Sequence, residues 1–313
     1  MNAARFTGLG VALATPFIEG DDNFGAGPVD MRAFRSLVRS VLDGGADFIV
    51  VLGSTGEAAT VLDAERDELI RAALEEADGA PVVVGTGHNA TAGAVALAAR
   101  AAQLGAHGLL VVTPYYNKPQ PAGLEAHFRA VAAAAPGLPI IAYNVPGRTG
   151  LNLTPAALAR LWTIPQVVAV KESSGNLAQI GEIARTLPAG KILLSGDDAL
   201  ALPSIALGAS GLISVVGNIL PAATKALIQA ALTGDSGLAR ALHAGLLPVM
   251  DALFLESNPV PLKAAMELLG LGSSAVRLPL VPACAATRAG LAVALQVFEE
   301  ACGQSRVPEA VCA

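Results

Sequence analysis

Short apolar runs recur along the first two thirds of the chain, and stretches with helical spacing separate them. The runs are rich in Val, Ile, Leu and Ala, as expected of strands buried on both faces of a parallel sheet. Eight successive strand–helix units are typical of a (β/α)8 TIM barrel, whereas an open doubly wound sheet seldom repeats so evenly. The predicted strands are Leu9–Ala14, Phe48–Leu52, Pro81–Val84, Gly108–Val112, Pro139–Ala142, Val167–Val170, Lys191–Leu194 and Gly211–Val215.

The segments between the runs carry helix signals. Apolar residues at helical spacing predict helices over Met31–Leu42, Ala64–Ala77 and Thr91–Gln103, with Gly105 ending the third. Thr154 can cap a helix that begins at the following proline. The chain beyond residue 233 is rich in Ala and Leu and is interrupted by prolines. We therefore expect a catalytic barrel over residues 1–233 and a C-terminal helical region over residues 234–313.

Composition argues against several classes of function. The 313 residues are 53% hydrophobic and carry a formal net charge of -6, so the chain has no basic footprint for nucleic acid. No apolar run approaches the roughly 18 residues of a membrane helix. The first residues lack the apolar core of a signal peptide, so we expect a cytoplasmic protein. The cysteines and histidines match no metal-binding spacing, and we expect neither a metal nor another cofactor.

Lys171 ends the sixth apolar run. Burial at the end of such a strand disfavours a charged side chain. A neutral lysine amine attacks carbonyl groups and forms a Schiff base. The alternatives are a lysine that pairs with a carboxylate and one that binds a substrate phosphate.

Polar residues follow nearly every predicted strand. In a barrel all of these residues meet at the C-terminal mouth, where the active sites of this fold lie. A purely structural protein would not need its polar residues at one end of every strand. They include Thr15, Ser54, Thr55, Thr86, Thr113, Tyr115, Tyr116, Tyr143, Asn144, Lys171, Glu172, Ser195, Asp197, Asp198, Ser214 and Asn218.

Three other motifs belong to the same mouth. The turn Gly53–Glu57 can hold a carboxylate or phosphate on its backbone N–H groups, and the alternative is an ordinary helix N-cap. Arg148 stands on a proline-stiffened loop and could bind a carboxylate through two hydrogen bonds. Gly85–Ala90 fits a dinucleotide-binding pattern, but the acid that this pattern needs about 20 residues later is missing, so we interpret it as a tight turn.

Together these motifs resemble the dihydrodipicolinate synthase family of pyruvate-dependent class I aldolases. The resemblance is carried by Gly53–Glu57, Tyr115–Pro119, Tyr143–Gly150, Lys171–Asn176, Ser195–Asp198, Gly211–Asn218 and Ser257–Lys263, and it spans about Phe6 to Gly270. Arg148 favours the synthase branch, because the sialic-acid lyase branch normally lacks arginine there.

The resemblance implies catalytic roles for four residues. Lys171 would form the imine with pyruvate, and Tyr143 would act as general acid and base. Tyr143, Ser54 and Tyr116 would form a proton relay, with Tyr116 supplied by a neighbouring subunit. The family is usually a tetramer built from tight dimers, so we expect a homotetramer.

The resemblance also implies the substrates, pyruvate and L-aspartate 4-semialdehyde, and the residues that bind them. Thr55, with Ser54, would bind the pyruvate carboxylate, and Arg148 would bind the carboxylate of the second substrate. Gly196 and Ile213 would line the pyruvate pocket. Two alternatives stay open: a related lyase for a keto-deoxy sugar acid or N-acetylneuraminate, and a barrel that binds keto acids without catalysis.

The chain departs from the family at several positions. Ser54 replaces the usual threonine and loses the β-branch that limits the rotamers of the hydroxyl. The segment Glu19–Pro28 is longer than the usual turn, and we expect a surface loop. Many members are inhibited by lysine, and the residues here differ from those of lysine-sensitive enzymes, so we predict weak or absent inhibition. The differing residues are Ala58, Asp63, Arg66 and Gly93, whereas Asn89 and Tyr115 match.

Overall fold

Eight parallel strands close into a barrel in which each strand pairs with its sequence neighbours and the last pairs with the first. These strands come from a computed structural model that describes residues 3–20 and 26–303. The predicted (β/α)8 fold is confirmed. The strands are β1 Gly8–Ala12, β2 Phe48–Val51, β3 Val82–Gly85, β4 Gly108–Val112, β5 Ile140–Asn144, β6 Val167–Glu172, β7 Ile192–Ser195 and β8 Gly211–Ser214.

The fifth and sixth strands are longer than the sequence predicts. We placed their ends at Ala142 and Val170, but β5 continues to Asn144 and β6 continues to Glu172. The two polar side chains satisfy each other, since Asn144 Nδ2 donates to Glu172 Oε2 at 2.9 Å. A buried polar residue that is hydrogen-bonded in this way can remain within a strand. Lys171 therefore lies within β6 and not beyond its C-terminal end.

The predicted helices form with shifts of at most one residue at their ends. Gly105 ends α3 with φ at +92°, a conformation that glycine adopts without strain. Thr154 caps α6 by accepting a hydrogen bond from the backbone N–H of Ala157. The helices are α1 Met31–Asp43, α2 Asp63–Glu76, α3 Thr91–Leu104, α4 Pro121–Ala134, α5 Pro146–Thr149, α6 Pro155–Leu161, α7 Leu177–Arg185, α8 Ala201–Ala206, α9 Pro221–Thr233, α10 Ser236–Ala252, α11 Val260–Leu268 and α12 Ala285–Gly303.

The inside of the barrel is filled at its N-terminal end. Phe6, just before β1, and Phe48, at the start of β2, are fully buried and stack edge to face at a centroid distance of 5.8 Å. A second and larger apolar cluster fills the layer between the strands and the surrounding helices. The bottom of the barrel is thus closed by aromatic rings, which leaves the C-terminal mouth for a functional site.

The C-terminal helices pack on one another and complete the fold. Helix α12 packs against α10 and α11, and α10 packs against α9. The C-terminal helical extension is confirmed, while the division of the chain at residue 233 stays a prediction. In the described part of the chain no helix is long and apolar enough to cross a membrane.

Two backbone hydrogen bonds hold the ends of the expected surface loop Glu19–Pro28 together. Ile18 N donates to Pro28 O at 3.0 Å, and Gly27 N donates to Ile18 O at 2.8 Å. Residues 21–25 of this loop lie outside the described residues, as does the tail Arg306–Ala313.

Candidate active site at the C-terminal mouth of the barrel

Lys171 and Tyr143 stand opposite each other on adjacent strands, where β5 and β6 pair. The lysine is 4% exposed, the tyrosine is 6% exposed, and the lysine Nζ lies 4.4 Å from the centroid of the tyrosine ring. The neighbouring carboxylate of Glu172 is engaged elsewhere, because it accepts from Asn144 Nδ2 and from the backbone N–H of Ser174. Among the residues that the structure describes, no carboxylate forms an ion pair with Lys171. The amine is therefore buried beside a phenol and not beside a counter-ion.

Gly196 makes room for the Lys171 side chain. It follows β7, and its backbone N–H donates to Glu172 O at 2.8 Å, which draws the turn close to β6. A Cβ atom on this residue would lie 2.7 Å from Lys171 Cε and 2.0 Å from Ser173 Oγ. Contacts this short would force the Ser173 and Lys171 side chains to move, so the lysine keeps its present position because residue 196 lacks a side chain.

The turn after β2 brings two hydroxyl groups to the mouth. Its backbone folds on itself, since Gly56 N donates to Gly53 O and Glu57 N donates to Ser54 O. Ser54 lines the cavity described below. Thr55 is buried, and its Oγ1 accepts from Asn258 Nδ2 at 2.9 Å.

A buried ion pair anchors this turn to the C-terminal helices. Glu57, at the end of the turn, pairs with Lys263 on α11, and neither side chain is more than 1% exposed. Burial lowers the pKa of Lys263 to about 8, although the nearby Glu57 carboxylate opposes that shift. The second carboxylate oxygen of Glu57 accepts from the backbone N–H of Arg277 at 3.0 Å. The C-terminal region thus holds a part of the barrel mouth in place.

Arg148 lies on α5, the single helical turn that follows β5. Its guanidinium Nη2 donates to the backbone carbonyl of Asn258 at 2.9 Å, and the residue lines the cavity. Other guanidinium N–H groups remain for a ligand, because a guanidinium carries five donors.

Asp198 ties the ends of β7 and β8 together. Its carboxylate accepts from Ser214 Oγ at 2.5 Å and from the backbone N–H of Val215 at 2.9 Å. Burial raises the pKa of Asp198 to about 6. Ile213, the residue before Ser214, is fully buried and belongs to the same apolar cluster as Tyr143.

A cavity of about 740 Å³ opens at this mouth, a size suited to a small-molecule ligand. It reaches Tyr143, whose ring contacts Lys171. Of the predicted site residues, Ser54, Tyr143 and Arg148 line it. Lys171 and Thr55 contact lining residues, since Lys171 lies over the Tyr143 ring and Thr55 bonds Asn258. Its wall also includes Ala58, Asp63, Arg66, His88, Gly93, Tyr115 and Asn258.

Tyr116 is the one predicted site residue that the structure does not bring to the others. Its side chain is 86% exposed. Its backbone has a φ of +70°, a costly conformation for a bulky residue, and its N–H donates to Thr149 O at 3.2 Å. The loop is therefore held in a defined shape that points a large aromatic side chain away from its own barrel.

No role for Glu57, Asn258 or Lys263 could be predicted from the sequence. Asn258 and Lys263 belong to a motif that carried the family resemblance, and Glu57 ends the turn after β2. Their partners are far away in the chain, since Asn258 and Thr55 are 203 positions apart. The motif itself was the only signal of their importance.

A closed barrel with a buried lysine beside a tyrosine at its C-terminal mouth fits a lyase of the class I aldolase type. Comparisons with known proteins identify the family. The sequence model of the Dihydrodipicolinate synthetase family matches residues 5–297. The chain belongs to this family.

Curated relatives and solved structures of the same family match nearly the whole chain. The 4-hydroxy-tetrahydrodipicolinate synthase of Salinibacter ruber is 47% identical over 279 residues, covering 88% of this chain and 90% of the relative. The enzyme of the same name from Thermomicrobium roseum is 46% identical and covers 92% and 93%. The crystal structure of dihydrodipicolinate synthase from Aquifex aeolicus has a TM-score of 0.88 and 42% identity, covering 94% of this chain and 98% of that one.

Proposed function

We propose that this chain is a 4-hydroxy-tetrahydrodipicolinate synthase, which condenses pyruvate with L-aspartate 4-semialdehyde in lysine biosynthesis. The relatives at 43–47% identity carry this name. The pairing of Lys171 with Tyr143 across β5 and β6 is the observation that carries the proposal, because an amine and a phenol lie side by side. Both would reach the carbonyl group of one bound keto acid.

The first half of the reaction forms an imine. The neutral amine of Lys171 attacks the keto carbon of pyruvate, and loss of water leaves a protonated imine. Tyr143 supplies the proton that leaves with the water and accepts protons in turn. The hydroxyl groups of Ser54 and Thr55 bind the pyruvate carboxylate and hold the keto carbon within reach of the amine.

The second half forms the carbon–carbon bond. The protonated imine withdraws electrons, so a methyl proton is lost and an enamine results. The enamine carbon attacks the aldehyde of the second substrate, whose carboxylate is bound by Arg148, and the aldehyde oxygen gains a proton. The amino group of the second substrate then adds to the imine carbon. This addition closes the ring, and a proton passes from the attacking nitrogen to the Lys171 nitrogen. The bond to Lys171 then breaks, and the lysine leaves as a free amine.

Borohydride trapping is the decisive experiment. Borohydride reduces an imine to a stable amine, so incubation with pyruvate should add one pyruvate-derived group, mapped to Lys171 by peptide mass. Parallel assays should show turnover with L-aspartate 4-semialdehyde. An adduct without turnover would move the assignment to a lyase for keto-deoxy sugar acids or N-acetylneuraminate. The absence of any adduct would refute the imine mechanism.

Replacement of Arg148 tests the second substrate. Arg148→Ala should raise the KM for L-aspartate 4-semialdehyde about 30-fold, because a charge-assisted hydrogen bond is lost, and should leave the trapping of pyruvate unchanged. Arg129→Ala is a matched control, since Arg129 forms an exposed ion pair with Glu125 on α4. Unchanged turnover in Arg148→Ala would show that another residue binds this carboxylate.

The assembly is part of the proposal. The outward position of Tyr116 supports a site completed by a neighbouring subunit, in a homotetramer built from dimers. We place the enzyme in the cytoplasm, where amino-acid biosynthesis would supply its substrates.

A further inference from the structure

Asn258 joins the two candidate carboxylate-binding residues from outside the barrel. It precedes α11, is 5% exposed and lines the cavity. Its side-chain Nδ2 donates to Thr55 Oγ1 at 2.9 Å, and its backbone carbonyl accepts from Arg148 Nη2 at 2.9 Å. The side chain and the backbone of one residue thus contact different binding groups.

The bond to Thr55 determines what the threonine hydroxyl can do. A hydroxyl has one proton to donate and can also accept. Because Thr55 Oγ1 accepts from the Asn258 amide, the hydroxyl proton remains available for another partner. A keto-acid carboxylate has only acceptor atoms, so it needs a hydroxyl that donates.

Burial of the Asn258 side chain carries a free-energy cost. Its Oδ1 is buried and has no hydrogen-bond partner among the residues that the structure describes. Leaving a buried acceptor unpaired costs about 1–3 kcal/mol. An apolar residue would fill this space without that cost. Within the described ranges the amide makes one side-chain hydrogen bond, the bond to Thr55, and an apolar residue would lose it.

We propose that Asn258 is a positioning residue for keto-acid binding. Its amide holds Thr55 as a hydrogen-bond donor towards the keto-acid carboxylate, while its backbone carbonyl holds Arg148 independently of the side chain. The inference rests on the proposed function, in which Thr55 binds that carboxylate. It predicts that side-chain replacement affects one substrate and spares the other.

Steady-state kinetics of four variants test the proposal. Asn258→Ala should raise the KM for pyruvate about tenfold and change the KM for L-aspartate 4-semialdehyde less than about twofold, because every replacement keeps the backbone carbonyl. Thr55→Val should also raise the KM for pyruvate. The double variant should match Thr55→Val within about twofold, since the amide then has no hydroxyl to orient.

Asn258→Asp separates orientation from packing. Aspartate has nearly the same shape, but its carboxylate only accepts, so the Thr55 hydroxyl would donate to it and turn away from the substrate. The KM for pyruvate should exceed that of Asn258→Ala and should fall towards it as the pH is lowered and the new carboxyl gains a proton. A role in packing alone predicts that Asp is milder than Ala and that the pH profile matches the wild type.

The outcomes distinguish this inference from the proposed function. Unchanged pyruvate binding in Thr55→Val would overturn the role of Thr55 itself. A raised KM in Thr55→Val together with an unchanged KM in Asn258→Ala, or additive effects in the double variant, would overturn only the role of Asn258. Thr224→Val is the matched control, because Thr224 is buried in α9 and donates to Leu220 O. It should leave both KM values unchanged.

Discussion

Adding one methyl group at Gly196 should disable Lys171 without unfolding the protein. The new Cβ of Gly196→Ala would lie 2.7 Å from Lys171 Cε and 2.9 Å from Lys171 Cγ. Ordinary contacts of this kind begin near 3.4 Å, so the lysine must move by roughly 0.7 Å or more. Displacement of a reacting group by about 1 Å costs about 10²-fold in rate. The crowding itself should lower the free energy of unfolding by about 1–3 kcal/mol.

The assay is the rate at which borohydride traps the pyruvate adduct, followed beside thermal unfolding. We expect Gly196→Ala to trap pyruvate about 10²-fold more slowly than the wild type while it still unfolds cooperatively. Gly181→Ala is the matched control, because its added Cβ within α7 meets only Leu207 Cδ2, at 3.9 Å. That control should keep full activity and gain about 0.5–1 kcal/mol of stability. Trapping at the wild-type rate in Gly196→Ala would refute the argument that this glycine makes room for the amine.

Four further predictions concern other parts of the molecule. Lys263→Met should lower the free energy of unfolding by about 3–5 kcal/mol in denaturant titrations, because it leaves a buried carboxylate unpaired. Burial raises the pKa of Asp198 to about 6, so the folded state keeps a proton that the unfolded state loses above about pH 4. The contribution of Asp198 to the free energy of unfolding should therefore fall by up to about 3 kcal/mol as the pH rises through this window, so the wild type should lose that much stability relative to Asp198→Asn. Inactive Tyr116→Phe and Lys171→Ala subunits should regain about a quarter of the wild-type activity after mixing and reassembly, if each site takes its tyrosine from a partner. L-lysine should inhibit turnover weakly or not at all, because Gly93 cannot provide a carboxylate for the ammonium of the inhibitor.

Each of these predictions has a contradicting result. Lys225→Met removes a surface ion pair with Asp47 and should cost only about 0–1 kcal/mol, so an equal loss in Lys263→Met would contradict the role of burial. An equal pH dependence in the wild type and in Asp198→Asn would assign the titration to another group. Mixed subunits that stay inactive would place Tyr116 outside the shared site. Strong inhibition at sub-millimolar lysine would show that position 93 does not control the effect.

Much of the barrel could be predicted because its signals are local. A buried parallel strand needs a short run of branched apolar residues, and a helix end needs a cap within a few positions. Thr154 and Gly105 perform these local tasks, and both are as the sequence predicts. The ends of β5 and β6 could not be predicted in the same way. Asn144 and Glu172 were placed beyond their strands, because nothing in either segment shows that the two side chains bond each other.

The candidate site could be predicted only in part. Lys171, Tyr143 and Arg148 were found because reactive side chains at strand ends must meet at the mouth of a closed barrel. The sequence did not show which residues position these side chains. The room that Gly196 leaves for the lysine depends on a turn of β7 lying against β6.

The sequence by itself determined the order of strands and helices, the caps, and the set of reactive groups at the barrel mouth. These depend on residues within one or two helical turns of each other. Only the tertiary structure decided that Asn258 donates a hydrogen bond to Thr55 and that Lys263 pairs with Glu57. Such contacts join segments about 200 positions apart. They form only after the barrel has closed and the C-terminal helices have packed against it, because the geometry that brings two distant side chains together belongs to the whole fold.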